Sequence, residues 1–234
     1  MPTPPKKTVQ RMTAWSFSRF NDWKRCAKLA YFKHVLRMQE PGNAAMERGG
    51  AIGELAEKFA APGGKRMKTP PELQTFEVEF RDLQKRKVLS EEEWAYTSAW
   101  EPTGWFDKDA WCRVKVDAYH VMQHKTHGLL GTVIDYKTGK VRDYHLEQLS
   151  LYALAALLRY PELKAVEVQL WYLDQGVQLP EAPKVYPASD LPKLKAEWEK
   201  ATAPMLRDTR FQEKPSKACT WCHFRKANGG PCKY

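Results

Sequence analysis

The chain has 234 residues, a formal net charge of +10 and 43% hydrophobic residues. This length allows one sizeable core with a small appendage, and no apolar run is long enough to span a membrane. The excess of basic residues favours a polyanionic partner, most commonly DNA or RNA, with added solubility as the simpler alternative. Five unevenly placed cysteines argue against a disulfide scaffold and favour a reducing, cytoplasmic setting.

The N-terminal part is predicted to be helical after a flexible start. Residues 1–14 are rich in Pro and Lys and are predicted to be flexible, and residues 15–234 to form one domain. Helical spacing of apolar residues predicts a helix that begins after Ser18, extends to Val35 and includes Cys26.

A second helix is predicted from about residue 44 to 60. Three glycines in it, Gly49, Gly50 and Gly53, suggest close approach of another backbone or a ligand. Glu57 follows them on the same helix and is a candidate ligand, although a helical Glu is more often a solvated surface charge.

The middle of the chain contains three further patterns. Residues 76–80 alternate as a strand does, and residues 90–93 resemble a helix start. Residues 111–121 form a better strand pattern, in which Asp117 faces the side opposite to Val116. The three histidines that follow, His120, His124 and His127, are predicted to be solvated turn residues.

The segment Val133–Lys140 is the most informative stretch. Its β-branched and aromatic residues followed by Thr-Gly predict a strand that ends in a turn. Asp135 and Lys137 are two apart and therefore share one face. A hairpin with the preceding strand adds Asp117, so two acids and an amine converge where a hard divalent cation can bind. The simpler alternative is an exposed strand end with solvated charges.

The last part of the sheet is predicted from Tyr144 onward. Residues 144–160 read as a buried helix on which Gln148 and Tyr152 share a face. Strands are predicted over residues 166–173 and 184–186, followed by a surface helix over residues 189–205.

Clustered cysteines mark the C-terminal tail. Cys219 and Cys222 form a Cys-x-x-Cys pair, and Cys232 follows. Such thiols favour metal or cluster binding in an intracellular protein. Cys26 is the natural fourth ligand and would join the two chain ends, whereas Cys112, inside a strand, is a bystander.

Taken together, these residues resemble the RecB-like branch of the PD-(D/E)xK nuclease superfamily, and especially its iron–sulfur members. These include the AddB nuclease domain, the CRISPR-associated adaptation nucleases and phage exonucleases. Asp117 matches the upstream metal-binding acid, Asp135-Tyr136-Lys137 the D-x-K core, and Gln148 with Tyr152 the helix motif thought to touch DNA. The four cysteines that match the family's split cluster pattern are Cys26, Cys219, Cys222 and Cys232.

The resemblance implies a restriction-endonuclease-like α/β core, with a mixed central sheet flanked by helices and a cysteine-stapled helical C-terminal cap. It implies hydrolysis of DNA with Mg²⁺ or Mn²⁺, held by Asp117, Asp135 and the Tyr136 carbonyl, with Lys137 as a catalytic residue. A 4Fe–4S cluster is implied at the cysteines, with Zn²⁺ as the alternative. The expected substrate is single-stranded DNA or DNA ends, in the cytoplasm or, for a phage-encoded protein, the host cytoplasm. A recombination or replication partner is left open.

One family position differs in this sequence. Gly53 stands where the family usually has a metal-binding His, so Glu57, one turn later, is predicted to supply a substitute acid. Two alternatives to an active nuclease follow: a catalytically inactive DNA-binding or assembly subunit, and a zinc-stapled nucleic-acid-binding module.

Overall fold

The structure, a computed structural model, describes residues 10–234, with only the backbone described at residues 182 and 183. The chain divides into two compact units. We call Gly42–Trp198 the sheet unit, and Met1–Pro41 together with Glu199–Tyr234 the end unit. The single domain predicted over residues 15–234 stays a prediction. Of the predicted flexible segment, residues 1–9 lie outside the described part, and Met12 is buried.

The helices and strands alternate as expected of an α/β protein. The strands are β1 Leu89–Tyr96, β2 Pro102–Thr103, β3 Cys112–His124, β4 Gly128–Lys137, β5 Ala165–Tyr172 and β6 Val177–Pro187. The helices are α1 Phe17–Arg25, α2 Ala27–Ala30, α3 Ala44–Ala60, α4 Glu77–Leu83, α5 Tyr144–Arg159 and α6 Leu191–Arg207, which contains the unit boundary. Single turns of 3-10 helix occur at Pro62–Arg66, Pro71–Phe76, Ala188–Asp190, Lys217–Trp221 and Lys226–Asn228. Within residues 10–234, no helix has the length and apolar character needed to cross a membrane.

A six-stranded sheet forms the centre of the sheet unit. Its strands lie in the order β2, β1, β3, β4, β5, β6. Strands β4 and β5 are parallel, whereas all the other neighbouring pairs are antiparallel. The sheet is therefore mixed, and helices cover it, which confirms the predicted fold class.

The two faces of the sheet are covered by different helices. On one face, α3 and α4 bury a core that includes Phe59, Phe80, Ile134 and Trp171. Because successive strand residues point to opposite sides, Asp135 faces away from this core and towards α5, where Tyr152 reaches it. Phe80 is fully buried, and replacing a Phe in such a position with Ala typically costs about 3–5 kcal/mol.

Two segments predicted from local patterns differ in the structure. The predicted strand over residues 76–80 is instead the end of a 3-10 turn followed by α4, because Phe76 and Phe80 are four residues apart and both buried, while Val78 is exposed. The predicted helix start over residues 90–93 is part of β1, where Glu92 pairs with Val116 of β3. In both cases pairing or burial with distant residues overrides the local pattern.

The long N-terminal helix is interrupted at Cys26. This residue is extended, with φ −164° and ψ 117°, and it separates α1 from α2. A π-helical turn over Tyr31–Val35 then completes the segment. The N-cap is Ser16 rather than the predicted Ser18, because the Ser16 hydroxyl accepts a hydrogen bond from the backbone N–H of Arg19.

His120 also differs from the prediction of a solvated turn histidine. It lies inside β3 and is 5% exposed, next to Arg86 and Asp82 of the α4 region. Burial, and then the Arg86 charge, lower its pKa to about 4. His124 and His127 lie at the hairpin turn, as predicted, and their rings stack at 4.9 Å.

Candidate active site

The two acids of the predicted hairpin lie directly across from each other. Ala118 of β3 pairs with Ile134 of β4, so Asp117 stands opposite Asp135 on the face that carries α5. The backbone N–H of Tyr136 donates to Asp117 Oδ2 at 2.7 Å, which fixes one carboxylate against the neighbouring strand. Asp135 is 4% exposed. The structure thus brings together the two residues predicted to bind a metal ion.

Asp117 is hard to ionise in this position. Burial first, and then the negative charge of Asp135, raise its pKa to about 7. The hydrogen bond from Tyr136 and the charge of Lys137 oppose this shift without cancelling it. Two close carboxylates in a partly dry site repel each other, and a bound cation relieves that repulsion.

A closed hydrogen-bond network holds Asp135 and Lys137. Lys137 Nζ lies 2.5 Å from Asp135 Oδ2 and donates to Gln148 Oε1 at 3.3 Å. Gln148 Nε2 donates to the Tyr152 hydroxyl at 2.7 Å, and that hydroxyl donates to Asp135 Oδ1. Tyr152 and Gln148 are one turn apart on α5, so the helix presents both to the strand end. We call these four residues the D-K-Q-Y ring.

The ring keeps Lys137 charged. Burial alone would lower the pKa of Lys137, but the adjacent Asp135 carboxylate and then Asp117 outweigh burial and raise it. Lys137 is therefore an ammonium group at neutral pH. It is suited to stabilising negative charge or orienting water, and not to accepting a proton.

Asp117 and Lys137 line a cavity of about 750 Å³ in the sheet unit, with Asp135 buried behind them. Helix α3 forms one wall with its glycines, and Glu57 of the same helix also lines it. Gly49 lies close to the β4 turn, since a Cβ there would be 3.0 Å from Thr138 Oγ1. Gly50 and Gly53 have open space where a Cβ would be. Gly49 thus has a close neighbour, although it is a side chain and not the predicted backbone or ligand, whereas Gly53 leaves the cavity wider.

A salt bridge joins the glycine-rich helix to the turn after β4. Arg48 of α3 donates to both oxygens of Asp174, at 2.8 and 2.5 Å. Asp174 Oδ2 also accepts from the backbone N–H of Gly139 at 2.6 Å. Gly139 has φ +80°, a conformation that glycine adopts without strain. One carboxylate thus positions α3 relative to the segment that carries Lys137.

The cavity contains two titratable residues that the sequence analysis did not single out. Glu91 of β1 falls opposite Asp117 in the strand register, has φ +56° and forms an ion pair with Lys115. His145 of α5 shares a hydrogen bond of 2.6 Å with the Tyr172 hydroxyl. Burial and then the Lys137 charge lower the pKa of His145 to about 4, so it is neutral at pH 7. The sequence did not single out Glu91 because it is one of three consecutive glutamates, and only strand pairing shows which of them faces the site.

The cysteines of the end unit line a second, small cavity. The cavity has a volume of about 30 Å³, and four cysteines contribute to its wall: Cys26, Cys219, Cys222 and Cys232. The five cysteines, all within the described residues, are free thiols, and Cys112 is buried separately in β3. Burial raises the pKa of the Cys222 thiol. As placed, no three or more His, Cys, Asp or Glu side chains in residues 10–234 form a group that could hold a metal ion.

Comparison with known proteins adds a family match. Residues 113–227 match the model of the PD-(D/E)XK nuclease superfamily, a range that includes Asp117, Asp135, Lys137 and the α5 residues of the ring. No curated protein matches the chain. One solved structure, described as "Crystal structure of SSO0001", is 12% identical over 97% of this chain and 91% of that chain, with a TM-score of 0.38. That likeness is too distant to bear on function, whereas the family match covers the strands and the helix that carry the acid pair and the ring.

Proposed function

We propose that this protein is a metal-dependent deoxyribonuclease that hydrolyses phosphodiester bonds in single-stranded DNA or at DNA ends. We further assign it to the RecB-like exonucleases that act in recombination, repair or phage DNA processing. The observation that carries the proposal is the D-K-Q-Y ring, which fixes an acid and an ammonium group beside a second acid. The superfamily match over residues 113–227 supports the same reading.

The acid pair has the donor chemistry of an Mg²⁺ or Mn²⁺ site. Mg²⁺ is commonly bound by one or two carboxylates together with waters and substrate phosphates, so it does not need a complete protein cage. Asp117 and Asp135 supply these carboxylates, and Asp135 Oδ2 is buried with no partner among the described residues except the Lys137 ammonium. We assign the Tyr136 carbonyl and Glu57 as further oxygen donors.

Each residue of the ring then has a separate task. A bound divalent ion supplies Lewis-acid polarisation of the scissile phosphate and lowers the pKa of the attacking water. Lys137, held by Asp135 and Gln148, places a fixed positive charge where the phosphate gains negative charge. Tyr152 keeps the Asp135 carboxylate in one orientation.

The DNA-contacting role predicted for Gln148 and Tyr152 stays a prediction. Tyr152 is 2% exposed and its hydroxyl is engaged on both sides, so we assign it to positioning of Asp135. Gln148 is half-buried, and its Oε1 accepts from Lys137, which lines the cavity. We therefore propose Gln148 as the ring residue that contacts the DNA backbone.

Digestion of labelled DNA tests the enzyme reading. Wild-type protein, Asp135→Asn and Lys137→Ala are incubated with end-labelled single and double strands in Mn²⁺, Mg²⁺ or EDTA. We expect cleavage by the wild type with metal only, and at least about a 100-fold loss in each variant. Wild-type protein that is folded and metal-loaded yet cuts neither strand would leave the inactive DNA-binding or assembly subunit as the explanation. The open Gly53 position is the observation that favours this alternative.

A circular substrate separates exonuclease from endonuclease action. An exonuclease needs an end, so we expect circular single-stranded DNA to remain intact under conditions that degrade its linear form. Cutting of both forms at equal rates would instead assign endonuclease activity.

We also propose that Cys26, Cys219, Cys222 and Cys232 hold a 4Fe–4S cluster, with Zn²⁺ as the alternative. The support is that these four thiols line one cavity whose other walls include the apolar residues Leu29, Phe32 and Phe224. An all-thiol donor set suits both a cluster and zinc. The donors are present, although the side chains as placed do not close around an ion.

Metal analysis of anaerobically purified protein distinguishes the two. A cluster gives a brown protein with broad visible absorption and comparable amounts of iron and acid-labile sulfide. A colourless, folded protein with one zinc per chain would assign a zinc staple. In that case the nuclease proposal still stands or falls on the digestion experiment alone.

A further inference from the structure

The basic residues of the chain are concentrated in the end unit. Its described residues, 10–41 and 199–234, contain 15 lysines and arginines against five acidic residues, a balance of +10. The sheet unit, residues 42–198, contains 21 against 23, a balance of −2. The unit that carries the acid pair is thus slightly acidic, and the attraction for a polyanion resides in the other unit.

The charge is densest along the C-terminal tail. Residues 209–234 contain six basic side chains and one acidic side chain, Glu213. Glu213 lies 3.9 Å from Lys28, and the charges of Lys233 and Lys28 contribute to the lowering of its pKa. The one acid is already compensated, so the tail has a net positive surface. The exposed basic residues are Arg210, Lys214, Lys217, Lys226 and Lys233.

An exposed tryptophan stands within this basic tail. Trp221 is 86% exposed, and it is the one exposed side chain among the nine tryptophans, all of which lie in the described residues. It ends the 3-10 turn that begins at Lys217. Arg225 donates from Nη1 to the carbonyl of Thr220 at 3.4 Å, which places its guanidinium beside the same turn.

The turn is held in place by the structure beneath it. Ser216 caps it with its hydroxyl, and the thiol of Cys219 accepts from the Ser216 backbone N–H at 3.4 Å. Phe224, three residues after Trp221, is buried against Leu29 and Phe32. The indole is therefore a large aromatic surface held in solvent on an anchored turn, beside basic residues of the same segment, where a base can stack on it.

We propose that Trp221 and the basic side chains around it form a docking surface for unpaired DNA, with the indole stacked on a base and the lysines and arginines on the phosphates. Positive charge selects a polyanion, and an exposed aromatic ring selects a strand whose bases are free to stack. A blunt duplex offers phosphates but exposes a base face only at its two ends. This inference relies on the proposed function only for the choice of DNA as the polyanion.

Binding in EDTA tests the surface without any cleavage. The affinity of wild type and Trp221→Ala is measured by fluorescence anisotropy with a labelled 20-nucleotide oligo(dT) and a blunt 20-base-pair duplex. We expect Trp221→Ala to weaken binding of the single strand by about 5- to 150-fold, the range for loss of one base stack, and to change duplex binding by about twofold or less. Trp221→Phe, which keeps a ring, is expected to retain most of the affinity.

Phe106→Ala is the matched control, because Phe106 is 90% exposed but belongs to the sheet unit, between Trp105 and Asp107. We expect it to bind both DNAs as the wild type does. Equal losses of single-strand and duplex affinity in Trp221→Ala, or no loss, would overturn the proposal. A 20-nucleotide oligo(U) is measured in the same way, and a loss confined to it would also overturn the proposal and assign RNA as the strand.

A second measurement uses the unchanged protein, since Trp221 lies between two cysteines and its variant needs a check of folding and metal content. Oligo(dT) that carries 5-iodouracil is crosslinked to the wild type by light, and the adduct is located by mass spectrometry. We expect the adduct on Trp221, and adducts found only elsewhere would overturn the assignment. Single-strand binding that Trp221→Ala loses, in a protein that does not cleave, would support this surface while refuting the nuclease. Cleavage by a protein whose binding Trp221→Ala leaves unchanged would do the reverse.

Discussion

The sheet unit and the end unit differ in what their charges are arranged to do. In the sheet unit, acids outnumber bases, and the best-organised charges are buried and joined in the D-K-Q-Y ring. In the end unit, bases outnumber acids threefold and many are exposed around a solvent-facing indole. Buried, hydrogen-bonded charges suit chemistry, and exposed unpaired ones suit long-range attraction. The net charge of +10 is therefore the property of one unit.

The largest expected effect separates chemistry from binding. Replacing Asp117 or Asp135 with Ala removes a carboxylate from the metal site, so we expect cleavage to fall by at least about 100-fold. Affinity for DNA in EDTA should stay within about twofold or increase, because an acid near the phosphate path is lost. Parallel digestion and anisotropy measurements check both. Equal losses of cleavage and binding would show that the two units do not divide these tasks.

The next effect concerns the pH dependence of stability. His120 has a pKa of about 4 in the folded protein against about 6.5 unfolded, so the unfolded chain binds its proton more readily. Above pH 6.5 His120 is neutral in both states and does not destabilise the fold. As pH falls from 6.5 towards 4, protonation of the unfolded chain lowers the free energy of unfolding by about 3 kcal/mol in total. Asp117 has the opposite effect: because folding raises its pKa, its contribution to the free energy of unfolding increases as pH falls.

The measurement is therefore a difference between variants. Urea unfolding of the wild type and of His120→Gln is followed at pH 7 and pH 5, where the wild type should lose about 2 kcal/mol more than the variant does. His124→Gln, at the hairpin turn, serves as the control and should follow the wild type. If the free energy of unfolding changes equally with pH in the wild type and in His120→Gln, His120 is not a source of the acid sensitivity.

A smaller effect tests where the polyanion binds. Lys217→Ala with Lys226→Ala removes two exposed charges of the end unit, whereas Lys65→Ala with Lys68→Ala removes two from the sheet unit. We expect the first pair to weaken single-strand binding about tenfold and to reduce the slope of log affinity against log salt by about 1.4, the value for two phosphate contacts. The second pair should change neither quantity. Similar losses of single-strand affinity in both double variants would show that DNA binding is not confined to the end unit.

The smallest expected effect concerns the widened cavity. Gly53→His should improve Mn²⁺ affinity by about tenfold, because the position has open space for a side chain and lines the same cavity as Asp117. Gly53→Ala, which stabilises the helix without adding a ligand, is the control. Glu57→Ala should weaken Mn²⁺ binding in a protein that stays folded. Calorimetric titration with Mn²⁺ measures all three, and equal affinities would exclude α3 as a source of ligands.

The sequence predicted the parts of the site that depend on alternation along one hairpin. Asp135 and Lys137 had to share a face, and Asp117 had to follow from the neighbouring strand. The α5 helix was predicted almost to its ends, because its apolar residues repeat over four turns. The fold class followed from the resemblance that these motifs carry to a known family.

What the sequence did not show depends on contacts between distant residues. Phe76 and Phe80 fit both a strand and a helix, and burial against Trp171 decides between them. The bond of Tyr152 to Asp135 and the salt bridge of Arg48 to Asp174 join residues whose partners no local pattern specifies. The charge difference between the units was present in the sequence, but averaging over the whole chain concealed it.

The carboxylate of Asp174 has a practical consequence for anyone who wants a conditional form of this protein. It is the common partner of Arg48 on the glycine-rich helix and of Gly139 on the turn after Lys137, yet it supplies no proposed ligand itself. Asp174→Asn would keep the hydrogen bond from the Gly139 N–H and replace the ion pair with Arg48 by a weaker, neutral contact. We expect such a variant to work at low temperature and to lose activity reversibly on warming, well before the protein unfolds. Activity of this variant and of the wild type, measured over a range of temperatures, tests the expectation, and an equal temperature dependence would contradict it.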